Sequence, residues 1–401
     1  MKRSLDPGTP LLPAIVFHLL PLAAFGSPEI RPAVASVPSA AQPMQRVWRM
    51  ENARVLSRDL DKRWDGTVLM VGQGQTMLAV DLPTGRIRWS ATDALPTTWE
   101  AWVDISSEHV AVTSQESIVA YSADTGRRMW ARAPPCDFIP LRVRGEVVVG
   151  QCVSKTVGCE PVGGEPIVAL DIQSGAERWR HLPKVGLFGD GLDENRLFYI
   201  DNVRRPPPGP HRGHLVALEL TSGRVVWRVP LDDAEGTLVI GEHTVIVLAS
   251  FMTGFSKTDG KRLWRRDPSS SDSNEMVASI GERGAVVDDH LVLPGRIGFV
   301  SYAMRSGRPG RVIPYPSQWK SGLSRRRASL HSCGQVLLAR TRDARSRGPS
   351  SIYAWVNAKW AEVASPGEDS EIAATGGGCA VVSTGDLLEA YMLAPPTAPD
   401  Q

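Results

Sequence analysis

The sequence predicts an all-β chain closed into a ring of eight four-stranded blades, a β-propeller, or seven blades if one degenerate copy is not a blade. Three observations predict it. A short pattern recurs at blade-sized intervals, each copy ends in Trp, and no long helical periodicity occurs after the first thirty residues. An internal repeat outranks other sequence signals because it dictates the architecture.

The first copy is Ala79-Val80-Asp81-Leu82-Pro83-Thr84-Gly85-Arg86-Ile87-Arg88-Trp89. The second runs from Ala120 through Asp124-Thr125-Gly126 to Trp130, the third from Ala169 through Ser174-Gly175 to Trp179, and the fourth from Ala217 through Ser222-Gly223 to Trp227. A weaker fifth has Gly254 in the alanine place, then Asp259-Gly260 and Trp264. Successive Trp residues from Trp89 stand 41, 49, 48 and 37 residues apart. The alternating, β-rich start of each copy reads as a strand. Thr-Gly or Ser-Gly supplies a turn residue able to take positive φ. The next strand carries Trp four residues later. A Trp repeated once per unit needs the face of the neighbouring sheet, because its own small sheet cannot cover roughly 150–250 Å² of ring.

This Ala-x-Asp-x-x-Thr-Gly-x-x-x-Trp pattern resembles the tryptophan-docking repeat of PQQ-type (pyrroloquinoline-quinone-type) β-propellers. WD-repeat propellers have a similar period, but Trp64-Asp65 is the only Trp-Asp pair here. The resemblance implies a docking role for Trp48, Trp89, Trp130, Trp179, Trp227, Trp264 and Trp360. It implies a turn role for Gly85, Gly126, Gly175 and Gly223.

The termini complete the count. Arg46-Val47-Trp48-Arg49 looks like the end of a repeat whose beginning is missing, and residues 387–392 like a repeat that stops before its Trp. Together they make one blade, with the N-terminal segment as its outer strand. Such closure leaves no open sheet between first and last blades. Two degenerate copies fill the gap. One runs from Phe299 through Ser306-Gly307 with Arg311 in the Trp place. The other runs from Ile352-Tyr353-Ala354-Trp355 to Trp360, four residues shorter before its Trp. Each blade also has runs that suit earlier strands. In blade 2, residues 99–105 would be innermost and 109–113 next. Runs at 146–149, 196–200, 244–248, 290–293, 335–338 and 379–382 are the counterparts elsewhere.

The expected organisation is a signal peptide at 1–26, a Pro/Ala/Ser-rich linker at 27–43 and one propeller domain at 44–396. Lys2 and Arg3 precede a largely apolar stretch to Phe25, and Ala24-Phe25-Gly26 offers a cleavage point. No Cys stands near that point, so the expected signal carries no lipid anchor. A net charge of +2 gives no global attraction to nucleic acid or anionic membrane. No later segment is long and apolar enough to span a bilayer. Five cysteines, at 136, 152, 159, 333 and 379, leave an odd thiol. Cys152 could pair with Cys136 across a hairpin or with Cys159 across a loop. Cys333 and Cys379 hold matching places in blades 7 and 8, either as partners or as buried thiols.

Chemistry is sparse. PQQ-dependent dehydrogenases share the repeat. The resemblance would demand adjacent disulfide-bonded cysteines, a catalytic Asp and a calcium site; the sequence has no Cys-Cys pair. No catalytic, cofactor-binding or metal residue is therefore assigned, and no cofactor is expected. Asp81 and Asp171 read as turn groups. Residues 254–261 depart from a phosphate loop, His211 and His214 read as solvated, and 190–195 as a turn rather than a calcium loop.

The loops carry more. Links between second and third strands are long in three blades, at 151–166, 203–214 and 341–351. In a propeller these open on one face. That face would carry Lys155 and the candidate partner-binding residues Arg204, Arg205, His211, Arg212, Arg342, Arg345 and Arg347, or merely solvated charge. Arg325-Arg326-Arg327 is a further cluster read as solvated. The chain also resembles the propeller subunit of the outer-membrane β-barrel assembly machinery. That resemblance implies a periplasmic, non-enzymatic scaffold whose partners are other envelope proteins. The alternatives are a quinone-dependent dehydrogenase-like protein and a small-ligand or carbohydrate binder. The last would use Trp99 or Trp102 in the channel, but not both, since a spacing of three points them to opposite faces of a strand.

Overall fold

The computed structural model describes residues 31–32, 44–56, 68–96, 102–106, 108–114, 116–153, 165–183, 187–203, 212–232, 236–266, 284–294, 298–316, 328–333, 336–341, 352–356, 359–364, 370–376 and 379–393. Every regular element among them is a strand. The strands form eight antiparallel sheets in a ring. Blades 1 to 7 span residues 54–91, 102–132, 137–181, 187–231, 237–266, 285–314 and 328–364. Blade 8 joins residues 370–393 to Met44–Met50, which pairs with Leu387–Leu393 as the outer strand. The two ends of the chain thus close the ring, as the split repeat predicts. Arg31–Pro32, within the segment read as a linker, adds a short fifth strand outside Met44–Met50.

First strands of neighbouring blades approach one another, as between Trp102–Ile105 and Asp137–Arg144, so they line the axis. Each blade then runs outward as a meander. Turns from first to second and from third to outer strand lie at one end of the ring, here the turn face. Links from second to third strand, and from blade to blade, lie at the other end, the insertion face. Second and third strands are buried on both sides, as in Val68–Gln73, His109–Thr113 and Thr244–Leu248. Sheet packs on sheet, so alternate residues of one strand feed two different inter-blade cores. Leu69 and Val71 join Trp48, while Val68 and Met70 join Trp89.

The repeat builds six of the joints in one way. The indole Nε1 of Trp48, Trp89, Trp130, Trp179, Trp227 and Trp264 donates to the carbonyl of Leu82, Ala123, Ile172, Leu220, Lys257 and Met304 in the next blade, at 2.5–3.0 Å. The same rings stack on Gly85, Gly126, Gly175, Gly223, Gly260 and Gly307. Gly126 shows why glycine stands there. Its φ is +67°, and a Cβ would lie 2.4 Å from the Trp89 ring. Chain direction and contact both demand the missing side chain.

Trp360 departs from this set. In the regular blades Trp is the register partner of the repeat alanine, as in Ala79↔Trp89 and Ala390↔Trp48. In blade 7 Ala361 is the partner of Ala354, and Trp360 is the partner of Trp355. An offset of one residue puts a side chain on the other face of the sheet. Trp360 therefore turns backward and donates to the carbonyl of Pro314 in blade 6. Its ring lies 5.6 Å from Phe299 and 5.2 Å from Trp355. Trp360 therefore docks on the preceding blade, whereas the other six dock on the following one.

Candidate functional site

The three insertions leave their blades where the topology requires. Each follows a second strand, Val147–Val153, Arg196–Val203 or Val336–Thr341, and re-enters at Ile167–Asp171, Arg212–Glu219 or Ile352–Val356. All three therefore emerge on one face. Lys155, Arg204, Arg205, His211, Arg342, Arg345 and Arg347 lie outside the described residues, as do Trp99 and the 325–327 cluster. Arg212 is placed by its backbone, paired with Val203 at the foot of the second insertion.

On the face of those feet the structure places Trp102, one of the two channel aromatics named above, and two apolar residues that the sequence did not single out. Trp102 begins the inner strand of blade 2 and Ile139 is the third residue of that of blade 3, both toward the insertion face, and they are 60% and 44% exposed. Leu182 follows the outer strand of blade 3 on the same face and is 62% exposed. Isolated exposed apolar residues are ordinary, but these three share one side of two adjacent blades. The base beneath them is braced. Cys136 and Cys152 form a disulfide with Cα atoms 5.5 Å apart, which decides between the two pairings open for Cys152. The Asp104 carboxylate of blade 2 accepts the Val143 amide of blade 3. Burial pushes the pKa of Asp104 up, against the amide bonds and the charges of Arg142 and Arg144.

Between blades 3 and 4, near the same face, lies a buried polar group. Asp201 is 1% exposed and is 2.9 Å from Arg228, which also reaches His214 Nδ1 at 3.1 Å. His181 of blade 3 meets the Tyr199 hydroxyl of blade 4 at 2.8 Å. Burial lowers the pKa of His181; Asp201 and Arg228 act on it in opposite senses. Each buried charge has an opposite partner, as burial requires. His214, read as solvated, is instead part of this network.

The remaining sequence candidates are accounted for by turns. The Ser174 hydroxyl and amide, with Arg178, hold the Asp171 carboxyl below its usual range. Asp193 accepts the amides of Asn195 and Arg196, and pairs with Lys257 at 2.7 Å. Lys257 belongs to the 254–261 segment, which is the end of the third strand of blade 5 and the hairpin turn after it. Cys379 is buried, and burial pushes its thiol pKa up to about 11. Among the described residues no three metal-ligating side chains cluster.

A sequence profile described as outer membrane protein assembly factor BamB, PQQ_2, matches residues 36–186 and 163–318. No curated protein sequence matches the chain. Among solved structures, BamB from Moraxella catarrhalis aligns at 14% identity and TM-score 0.51, covering 87% of this chain and 99% of that one. A quinohemoprotein alcohol dehydrogenase from Comamonas testosteroni aligns at 11% identity and TM-score 0.55, covering 90% and 78%. The computationally designed Ika8 protein aligns at 13% identity and TM-score 0.54, covering 81% and 93%. At these identities the structural likeness is one of fold.

Proposed function

The chain belongs to the PQQ_2 propeller family, and on that premise we propose that it is an exported, non-enzymatic scaffold of the bacterial envelope, serving outer-membrane protein assembly. It binds other envelope proteins through its insertion face. The family match supports the process. The observation that carries the surface is that exposed Trp102, Ile139 and Leu182 lie on the same face of blades 2 and 3 as the feet of the insertions in blades 3 and 4. Loops and apolar side chains on one side of a rigid ring suit recognition. Arg204, Arg205, His211, Arg212, Arg342, Arg345 and Arg347 extend this surface with positive charge. Residues 1–26 act as the export signal.

The test is photocrosslinking in the native host. A photoreactive residue replaces Ile139 or Leu182 on the insertion face, and Thr84 or Arg127 on the turn face. The expected result is adducts with identified envelope proteins from the first pair only. Deleting the chain should lower the level of outer-membrane β-barrel proteins. Equal adducts from both faces, or unchanged barrel levels, overturn the reading. Sequencing the N-terminus of the mature protein checks cleavage near Gly26.

A further inference from the structure

We propose that the outer rim between blades 4 and 5 is a second docking site, for an extended peptide segment of a partner protein that carries carboxylates beside large apolar side chains. It lies one joint beyond the blades that carry Trp102, Ile139 and Leu182, and its end at Phe251, Asp232 and Arg265 opens toward the insertion face.

A groove of about 400 Å³ opens between the two blades. Its floor is apolar: Val229 and Leu231 from blade 4 face Val247, Phe251 and Phe255 from blade 5. This volume is within the usual range for ligand pockets, roughly 300–1,000 Å³. Its rim is cationic. Lys261, Arg262 and Arg265 share it with one lining carboxylate, Asp232. Asp232 lies 2.7 Å from Arg265 and 4.0 Å from Arg262, so it serves both. Asp259 stands beside Lys261 in the turn, which leaves a surplus of one positive charge. The Arg265 guanidinium lies 3.8 Å over the Phe251 ring, which holds charge at the edge of the apolar floor.

Exposure sets this rim apart. The residue before the docking Trp is Arg88 in blade 1 and Arg178 in blade 3, each paired with its repeat Asp. It is apolar in blades 8, 2, 4 and 5, but Val47 and Met129 are half-buried, whereas Val226 and Leu263 are 39% and 45% exposed. Val225 beside Val226, and Val312 on the outer strand of blade 6, are exposed too. Four of the seven large exposed apolar residues among those described therefore sit on three consecutive outer strands. An outer strand also presents an unpaired backbone edge. Blade 8 covers its edge with Arg31–Pro32. No described residue covers the edges of blades 4 and 5. An extended chain suits such an edge, apolar side chains suit the floor and flanks, and carboxylates suit the cationic rim.

Fluorescence anisotropy on the full chain tests this with a labelled peptide of alternating Asp with Phe and Val, and a counterpart with Lys for Asp. The acidic peptide should bind at least about tenfold tighter, more weakly as salt rises. Exposed Lys261→Glu should weaken it about fivefold without altering the fold. Thr253→Phe, which fills the groove, should abolish binding while the circular dichroism spectrum stays unchanged. Equal binding of both peptides, no binding, or indifference to both substitutions overturns the proposal. So does decanoate occupying the groove without displacing the peptide, or concentration-dependent dimerisation blocked by Thr253→Phe.

Discussion

The six joints from blade 8 round to blade 6 and the two joints flanking blade 7 are made from similar strands, but they are closed differently. In the first set an indole crosses forward, bonds a turn carbonyl and stacks on a glycine. At the joint of blades 6 and 7, Arg311 stands in the Trp place and lies 5.8 Å over Trp355, while Trp360 crosses backward. Phe299 and Tyr315, 4.7 Å apart, complete that contact. At the joint of blades 7 and 8 the core is mostly aliphatic, with Leu338, Ile352, Val382 and Tyr391. The propeller thus needs a filled inter-blade space, not a particular residue. The Trp-Gly device is one means of filling it, with its direction fixed by a hydrogen bond.

The largest expected effect tests that division. Trp89→Ala or Trp179→Ala should cost about 3–5 kcal/mol, the usual range for a buried large aromatic. Trp360→Ala should cost about half as much, because its ring is only partly buried and lies among other aromatics. Urea denaturation measures both; equal losses would erase the distinction between the two kinds of joint.

Acid should find blade 7. Burial, helped by Arg340, pushes the His331 imidazole down to about 4 from 6.5. The unfolded chain therefore binds the extra proton between those values. Stability contributed by keeping His331 neutral is complete above pH 6.5 and is lost as pH falls toward 4. The loss is at most about 3 kcal/mol. His331→Gln should flatten this slope in denaturation curves recorded from about pH 7 to about pH 4. An unaltered slope would move the acid sensitivity to His109 or His181, whose pKa values burial also lowers.

Glycines divide the docking device into its parts at smaller scale. Gly74, at φ +57°, has no atom within 4 Å of the place a Cβ would take. Gly74→Ala should therefore cost only the strain of positive φ, about 1–2 kcal/mol. Gly126→Ala adds displacement of Trp89 to the same strain and should cost about 1 kcal/mol more. Thermal melting of the two variants separates turn strain from docking. Smallest of all, Arg88→Ala removes a half-exposed pair with Asp81 and should change stability by less than about 0.5 kcal/mol. A larger change would make that pair part of the joint.

Much of the fold was legible because the repeat is local. Ala, Gly and Trp at fixed offsets encode strand, turn and strand, and the split repeat at the termini encodes closure. The backward course of Trp360 was not legible as a direction. The short spacing was visible, but only the register Ala354↔Ala361 decides which face the ring takes. The functional surface was legible only as loop lengths. Seven candidate basic residues were named from those loops, of which Arg212 alone falls among the described residues. Trp102 was legible only as one of two alternative channel aromatics, and Ile139 and Leu182 carry no sequence signal, since an apolar residue looks the same whether a neighbouring blade covers it or not.

Residue order alone specified the blade, the turn, the docking pair and the closure of the ring, because each depends on residues a few positions apart or on an exact repeat. The packing of blade on blade settled which cysteine Cys152 joins, which way blade 7 docks, which apolar side chains stay exposed, and where blades 4 and 5 leave a groove. Those outcomes depend on how one sheet meets the next, and the energy of that contact is held in pairs of residues far apart along the chain.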